Sequence, residues 1–197
     1  MANRTDIANL ALIALGNAAG LTDLDADAAG DENAATLKQL FDPARDATIY
    51  AHPWNFATRI PAAGLGKNTT TPGKHTNAYT LPTNPWTLRV WELLPAHHGT
   101  DPVWEVVGRD IWTDEGPPIY PRLIVRVTDL SIAPPTFAEA MALKLAYLAA
   151  PRIPNSMNKR EQLRREFKEE IARARAYDGQ EKGEGPVDDG FFLAGRL

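Results

Sequence analysis

The stretch Phe41-Asp-Pro-Ala-Arg-Asp-Ala-Thr-Ile-Tyr-Ala-His-Pro-Trp-Asn-Phe-Ala57 carries a helical apolar stripe straight into a proline stop flanked by aromatic rings. Upstream, Asp31 is a suitable N-cap. Leu37, Leu40, Phe41, Ala44, Thr48 and Ala51 then recur every three or four residues, which predicts one amphipathic helix. Pro43 lies inside that pattern, where it removes a backbone hydrogen bond and crowds the carbonyl of Gln39, so a kink or a fresh helix start is expected there. Pro53 disfavours helix for the residue before it, so His52 should leave the helix and Trp54 and Phe56 should lie in extended chain, their rings folded back on the stripe. Arg45 and Asp46 are expected on a solvated helix face, where ion pairs contribute only about 0–1 kcal/mol.

Working outward, helical pattern occupies both ends of the chain and β pattern the middle. A first helix is expected from Asn3 to Leu15, with Ile7, Leu10, Ala11 and Ala14 on one face and Gly16 in the left-handed terminal position. The segment Pro61 to Lys74 reads as loop. Beyond it, Ala78–Leu81, Thr87–Leu93, Val103–Val107 and Tyr120–Val127 are rich in β-formers and are separated by turns at 82–85, 97–102 and 114–118. Near the C-terminus, Thr136-Phe-Ala-Glu139 has the form of a capping box opening a helix to Ala150, apolar nearly all round and therefore central. A last helix is expected after an Asn158/Glu161 cap, with Leu163, Phe167, Ile171 and Ala174 inward, Glu161–Arg165 and Glu169–Arg173 paired four apart, and an end at Asp178-Gly179. The fold class is thus α+β: about four helices, two N-terminal and two C-terminal, in a bundle with an inserted antiparallel meander or small barrel. The expected division is 1–60 and 131–178 as a helical domain, 61–130 as a β-rich insert and 179–197 as a flexible tail.

Composition bounds the function. The chain has 197 residues, 44% of them apolar, enough for a packed core. It holds no cysteine, which excludes disulfides and thiolate metal sites. No run of about 18 uncharged apolar residues occurs and no leader-like start precedes the first helix, so the chain reads as unsecreted, without membrane contact and made in a cytoplasm. A net charge of −4 argues against general nucleic-acid binding, which requires cationic surface to displace counterions.

Chemistry-bearing patterns are sparse. Adjacent His97 and His98 with Asp101 point apart in a turn, so no metal is expected. Gly64-Leu-Gly66-Lys67 lacks the spacing of a phosphate loop, and neither Ser131 nor Ser156 stands in a nucleophile elbow. No catalytic residue, cofactor or enzymatic activity is therefore expected. Trp86, Trp91, Trp104 and Trp112 share the β-rich segment and could present a carbohydrate- or protein-contact surface, although core packing is expected for most of them. Residues 180–190 are glycine-rich and acidic, and the chain then reads Phe191-Phe-Leu-Ala-Gly-Arg-Leu197, an apolar plug with one cation. Phe191, Phe192, Leu193, Arg196 and Leu197 are the expected anchors on a partner.

The combination of Ala44-Arg-Asp-Ala47 with His52-Pro-Trp-Asn-Phe-Ala57 resembles the signature of the podovirus tail tubular protein A family, head-to-tail adaptors of short-tailed phages. Further likenesses are Ile7 to Gly16, resembling its first helix; Ala78-Tyr-Thr-Leu-Pro82, its aromatic strand; and Tyr120–Asp129 followed by Phe137–Ala146, its last strand and buried helix. Pro82-Thr-Asn-Pro-Trp86 departs from the family, where an acidic residue often follows the proline. The resemblance implies a structural virion protein at the head-tail junction: a ring of twelve copies beneath the portal, carrying the next tail (nozzle) protein and lining the DNA passage, with Arg45, Trp54 and Phe56 as structural motif residues. Alternatives are a head-completion or stopper protein of another connector family, and a carbohydrate-binding or carbohydrate-cleaving module.

Overall fold

In the computed structural model, residues 3–17, 20–68, 74–95, 101–153 and 159–181 are described. They form a mixed α+β fold with five helices and two small antiparallel sheets.

Helix α1 (Arg4–Leu15) begins with a reciprocal cap in which the Asn3 side chain accepts from the Asp6 amide and the Asp6 carboxylate accepts from the Asn3 amide. It ends at Gly16, whose φ of 78° is the left-handed position that lets its amide close on the last carbonyls. The buried face is Ile7, Ala8, Ala11, Leu12 and Leu15. Leu10, expected inside, is 40% exposed, because the neighbouring helix meets the stripe one position further round.

A short α2 (Leu24–Asp27) capped by Asp23 leads to α3 (Glu32–Ala51). Asp31 caps α3 through the Asn33 and Ala34 amides. The helix runs unbroken through Pro43, so the expected fresh start does not occur. Packing of Leu37, Phe41, Ala44 and Thr48 holds both halves on one core and offsets the lost hydrogen bond. His52 leaves the helix in extended conformation, as Pro53 requires. Phe56, expected in extended chain, instead lies in a 3₁₀ turn, Asn55–Ala57, closed by the Ala57 amide on the Trp54 carbonyl at 3.0 Å.

The β region is two three-stranded antiparallel sheets, not the expected single meander or barrel; no closed barrel occurs among the described residues. The first sheet has order β1-β6-β3, from Thr58–Arg59, Tyr120–Val125 and Thr87–Leu94. The second has order β2-β5-β4, from Asn77–Thr80, Asp110–Thr113 and Trp104–Val107. The sequence reading missed β1, which has only two residues, and β5, Asp110–Thr113, which it left between the Val103–Val107 run and the turn at 114–118. On β6, Ile124 enters the helical core, while Leu123 and Val125 enter a second core with Tyr79, Leu81, Ile111 and Ile119. The first sheet is therefore covered on one face by helices and on the other by residues of the second sheet. Two register shifts in β3 break strict alternation, so Thr87, Val90 and Leu93 are buried at spacings of three.

The second sheet is held at its open end by Asp114, whose carboxylate accepts from the Thr76 amide at 2.8 Å and hydroxyl at 3.1 Å and meets His75 Nδ1 at 3.3 Å. The Thr76 amide is the main cause that lowers the Asp114 pKa, and Asp27 is lowered likewise by the Asp23 and Thr22 amides. A carboxylate depressed in the folded state stabilises above the unfolded value of about 3.9, and that contribution is lost as pH falls through the folded value. Urea midpoints are thus expected to fall as pH drops below about 4, and Asp114→Asn to flatten part of that slope.

Helix α4 (Pro135–Ala149) packs against α1, α3 and α5. The anticipated capping box at Thr136 does not form: the helix starts two residues earlier, with Pro134 at the cap, Pro135 at its first position and no side-chain cap, since proline is preset for helical φ and has no amide to satisfy. Helix α5 (Arg160–Glu181) buries Leu163, Ile171 and Ala174 as expected but continues past Asp178-Gly179. Its pairs are Glu161–Arg164 at 3.7 Å and Glu170–Arg173 at 2.6 Å, three apart, in place of the expected four-apart pairs. Asn158 lies outside the described residues.

Candidate assembly surface

The motif stretch folds into a joint between α3, α4 and β6. Arg45 stands four residues after Phe41 and three before Thr48, inside the buried stripe of α3, and is only 6% exposed. Its guanidinium donates from Nε and Nη2 to Asp46 Oδ1 at 3.0 and 2.9 Å, and from Nη1 to Asp42 Oδ1 at 3.0 Å. The other Asp46 oxygen accepts from Arg126 Nε and Nη2 at 2.9 and 2.6 Å. The solvated face expected for Arg45 and Asp46 is thereby corrected: the pair is a charged clamp from α3 to the end of β6. Spacing alone could have placed Arg45 on the stripe. The second partner of Asp46, Arg126, 80 residues away from it, could not be read from the local pattern.

Trp54 is 1% exposed and hydrogen-bonds from Nε1 to the Thr48 carbonyl at 3.0 Å, so its ring folds back on α3 as expected. Around it, His52 lies edge-on at 4.8 Å and Phe137 of α4 edge-on at 5.2 Å, while Phe56 meets Phe137 at 4.9 Å. Arg89 Nη1 and Arg175 Nη2 donate to the last α3 carbonyls, Tyr50 at 3.2 Å and Ala51 at 3.5 Å. Trp54 and Phe56 are therefore brought together at the end of α3, with Arg89 and Arg175 as participants that the sequence reading missed, while Arg45 sits within the helix and holds Asp42 and Asp46.

The tryptophans divide. Trp91 packs toward the helical core with Arg89 stacked 4.7 Å from its ring, and Trp104 packs on the second core. Trp86 is 42% exposed, with Arg109 at 4.0 Å over its ring. Arg109 also donates to the Thr87 and Pro82 carbonyls, both at 2.8 Å, clipping the turn before β3.

Other exposed apolar side chains are scattered, among them Ile13, Tyr50, Ile60, Ile132 and Tyr177; at β4 and the residue before it, Val103, Val106 and Val107 are 67%, 44% and 41% exposed. A depression of about 440 Å³ near Thr22, Asp27 and Asp31 is lined by carboxylates already engaged in turns and caps. No group of three metal-ligating side chains occurs among the described residues, and no described helix is long and apolar enough to cross a membrane. His97, His98, Phe191, Phe192, Leu193, Arg196 and Leu197 lie outside the described residues. No protein-family model matches the chain, and no curated protein matches it.

Proposed function

We propose that this protein is a structural head-to-tail adaptor of a short-tailed phage, forming a ring of twelve copies beneath the portal and carrying the next tail component around the DNA passage. The observation that carries the reading is the motif joint: Trp54 and Phe56 pack the end of α3 on Phe137 of α4, and Arg45 orients Asp46, which holds Arg126 after β6. On this reading α1, α3, α4 and α5 form a four-helix bundle, the two sheets form the inserted β region, and the residues beyond Glu181 form an assembly tail. It has no catalytic role; each copy offers two different faces to its neighbours, as a heterologous ring requires.

Light scattering of the purified protein, alone and with the portal protein of the same genome, tests the reading. The expected result is a mass of twelve chains, either free or only on the portal. A monomer that ignores the portal overturns it. Deleting residues 186–197 is expected to weaken ring or portal binding at least tenfold while leaving the circular dichroism spectrum unchanged; unaltered assembly removes the tail anchors from the proposal.

A further inference from the structure

Four strands border the two sheets, and three are protected against further pairing. Strand β1 has only two residues, β3 is interrupted by two register shifts, and the outer side of β2 receives the Asn68 amide on the Ala78 carbonyl at 2.8 Å. Strand β4 has none of these devices: Trp104-Glu-Val-Val107 contains no proline, lysine or bulge. Its hairpin to β5 closes through Gly108-Arg109, with Gly108 at φ 64°. In such a two-residue hairpin the closing pair Val107/Asp110 exchanges hydrogen bonds, and so does Glu105/Trp112, which leaves the amides and carbonyls of Trp104 and Val106 directed outward. Exposed valines flank these groups, and Glu105 is the one charge on the strand.

We propose that this open edge is the docking site for residues 191–197 of a neighbouring copy, added by strand pairing, with Arg196 meeting Glu105. The inference rests on the ring reading and names the surface that holds the ring together. The segment Phe-Phe-Leu-Ala-Gly-Arg-Leu supplies apolar side chains for the valines, and Arg196 is its one charged side chain. Backbone pairing provides affinity and the side chains select the register. Residues 182–190 separate the segment from the last described residue of α5, a reach of up to about 30 Å at roughly 3.3 Å per residue.

Hydrogen exchange on the full chain across a range of concentrations tests the proposal. The Trp104 and Val106 amides should exchange at least tenfold more slowly as concentration rises. Arg196→Glu and Glu105→Arg should each abolish that protection, and combining both changes in one chain should restore it. Val106→Pro removes an outward amide without touching the β5 ladder, so it should also abolish docking while near-ultraviolet circular dichroism stays native. Amides that exchange equally fast in the full chain and in Arg196→Glu, or protection that varies neither with concentration nor on adding the portal protein of the same genome, overturn the proposal. A twelve-chain ring whose β4 amides remain unprotected sinks this inference and leaves the adaptor reading standing. Concentration-dependent protection in species that ignore the portal does the reverse.

Discussion

Replacing Trp54 by alanine is expected to destabilise the fold by about 3–5 kcal/mol, the range for truncating a fully buried large aromatic. Its indole is 1% exposed, is wedged against Phe137 and His52, and satisfies the Thr48 carbonyl. The truncation leaves a cavity between α3 and α4 and strands that carbonyl, so two penalties coincide. Trp54→Phe keeps most of the volume and loses the indole donor, and should cost about 1–2 kcal/mol. Urea denaturation followed by far-ultraviolet circular dichroism measures both. A cost below about 1 kcal/mol for the alanine variant would show that the joint contributes little to holding α3 on α4.

The second large effect is expected at Asp46. Its carboxylate is the centre of the clamp, accepting from Arg45 on one oxygen and Arg126 on the other. Asp46→Ala leaves the Arg45 guanidinium, with a side chain 8% exposed, only Asp42, which is itself 64% exposed. Removing one partner of a buried pair costs about 3–5 kcal/mol. Solvent reaches Arg126, so about 2–3 kcal/mol is expected here. Arg45→Met removes the charge together with the need for a counter-charge and should cost clearly less than Asp46→Ala. Equal costs for the two variants would mean that the charges themselves, not an uncompensated guanidinium, decide the outcome.

The order of the elements was legible wherever a signal lies within one turn of chain. Asn3 and Asp31 cap their own helices, Gly16 ends α1 and Pro53 ends α3, because each acts on backbone groups no more than four residues away. The apolar character of α4 likewise announced a central helix, although Pro135 rather than Thr136 opens it. The strands β2, β3, β4 and β6 were readable from composition, whereas their partition into two sheets was not. That partition depends on which face of β6 each neighbour covers, and Ile124 and Leu123 are chemically alike though they enter different cores.

The sequence by itself therefore determined an α+β chain with helices at both ends, a capped and proline-stopped α3, and an aromatic cluster folded back on it. Only the tertiary structure decided that Arg45 is buried, that Arg89 and Arg175 close the end of α3, and that among the described residues β4 is the edge left without a protecting device. Local dihedral preference and side-chain period reach a few residues along the chain. Burial of a charge and protection of a strand edge depend instead on partners such as Arg126 and Asn68, which are distant in sequence and are brought close only when the cores form.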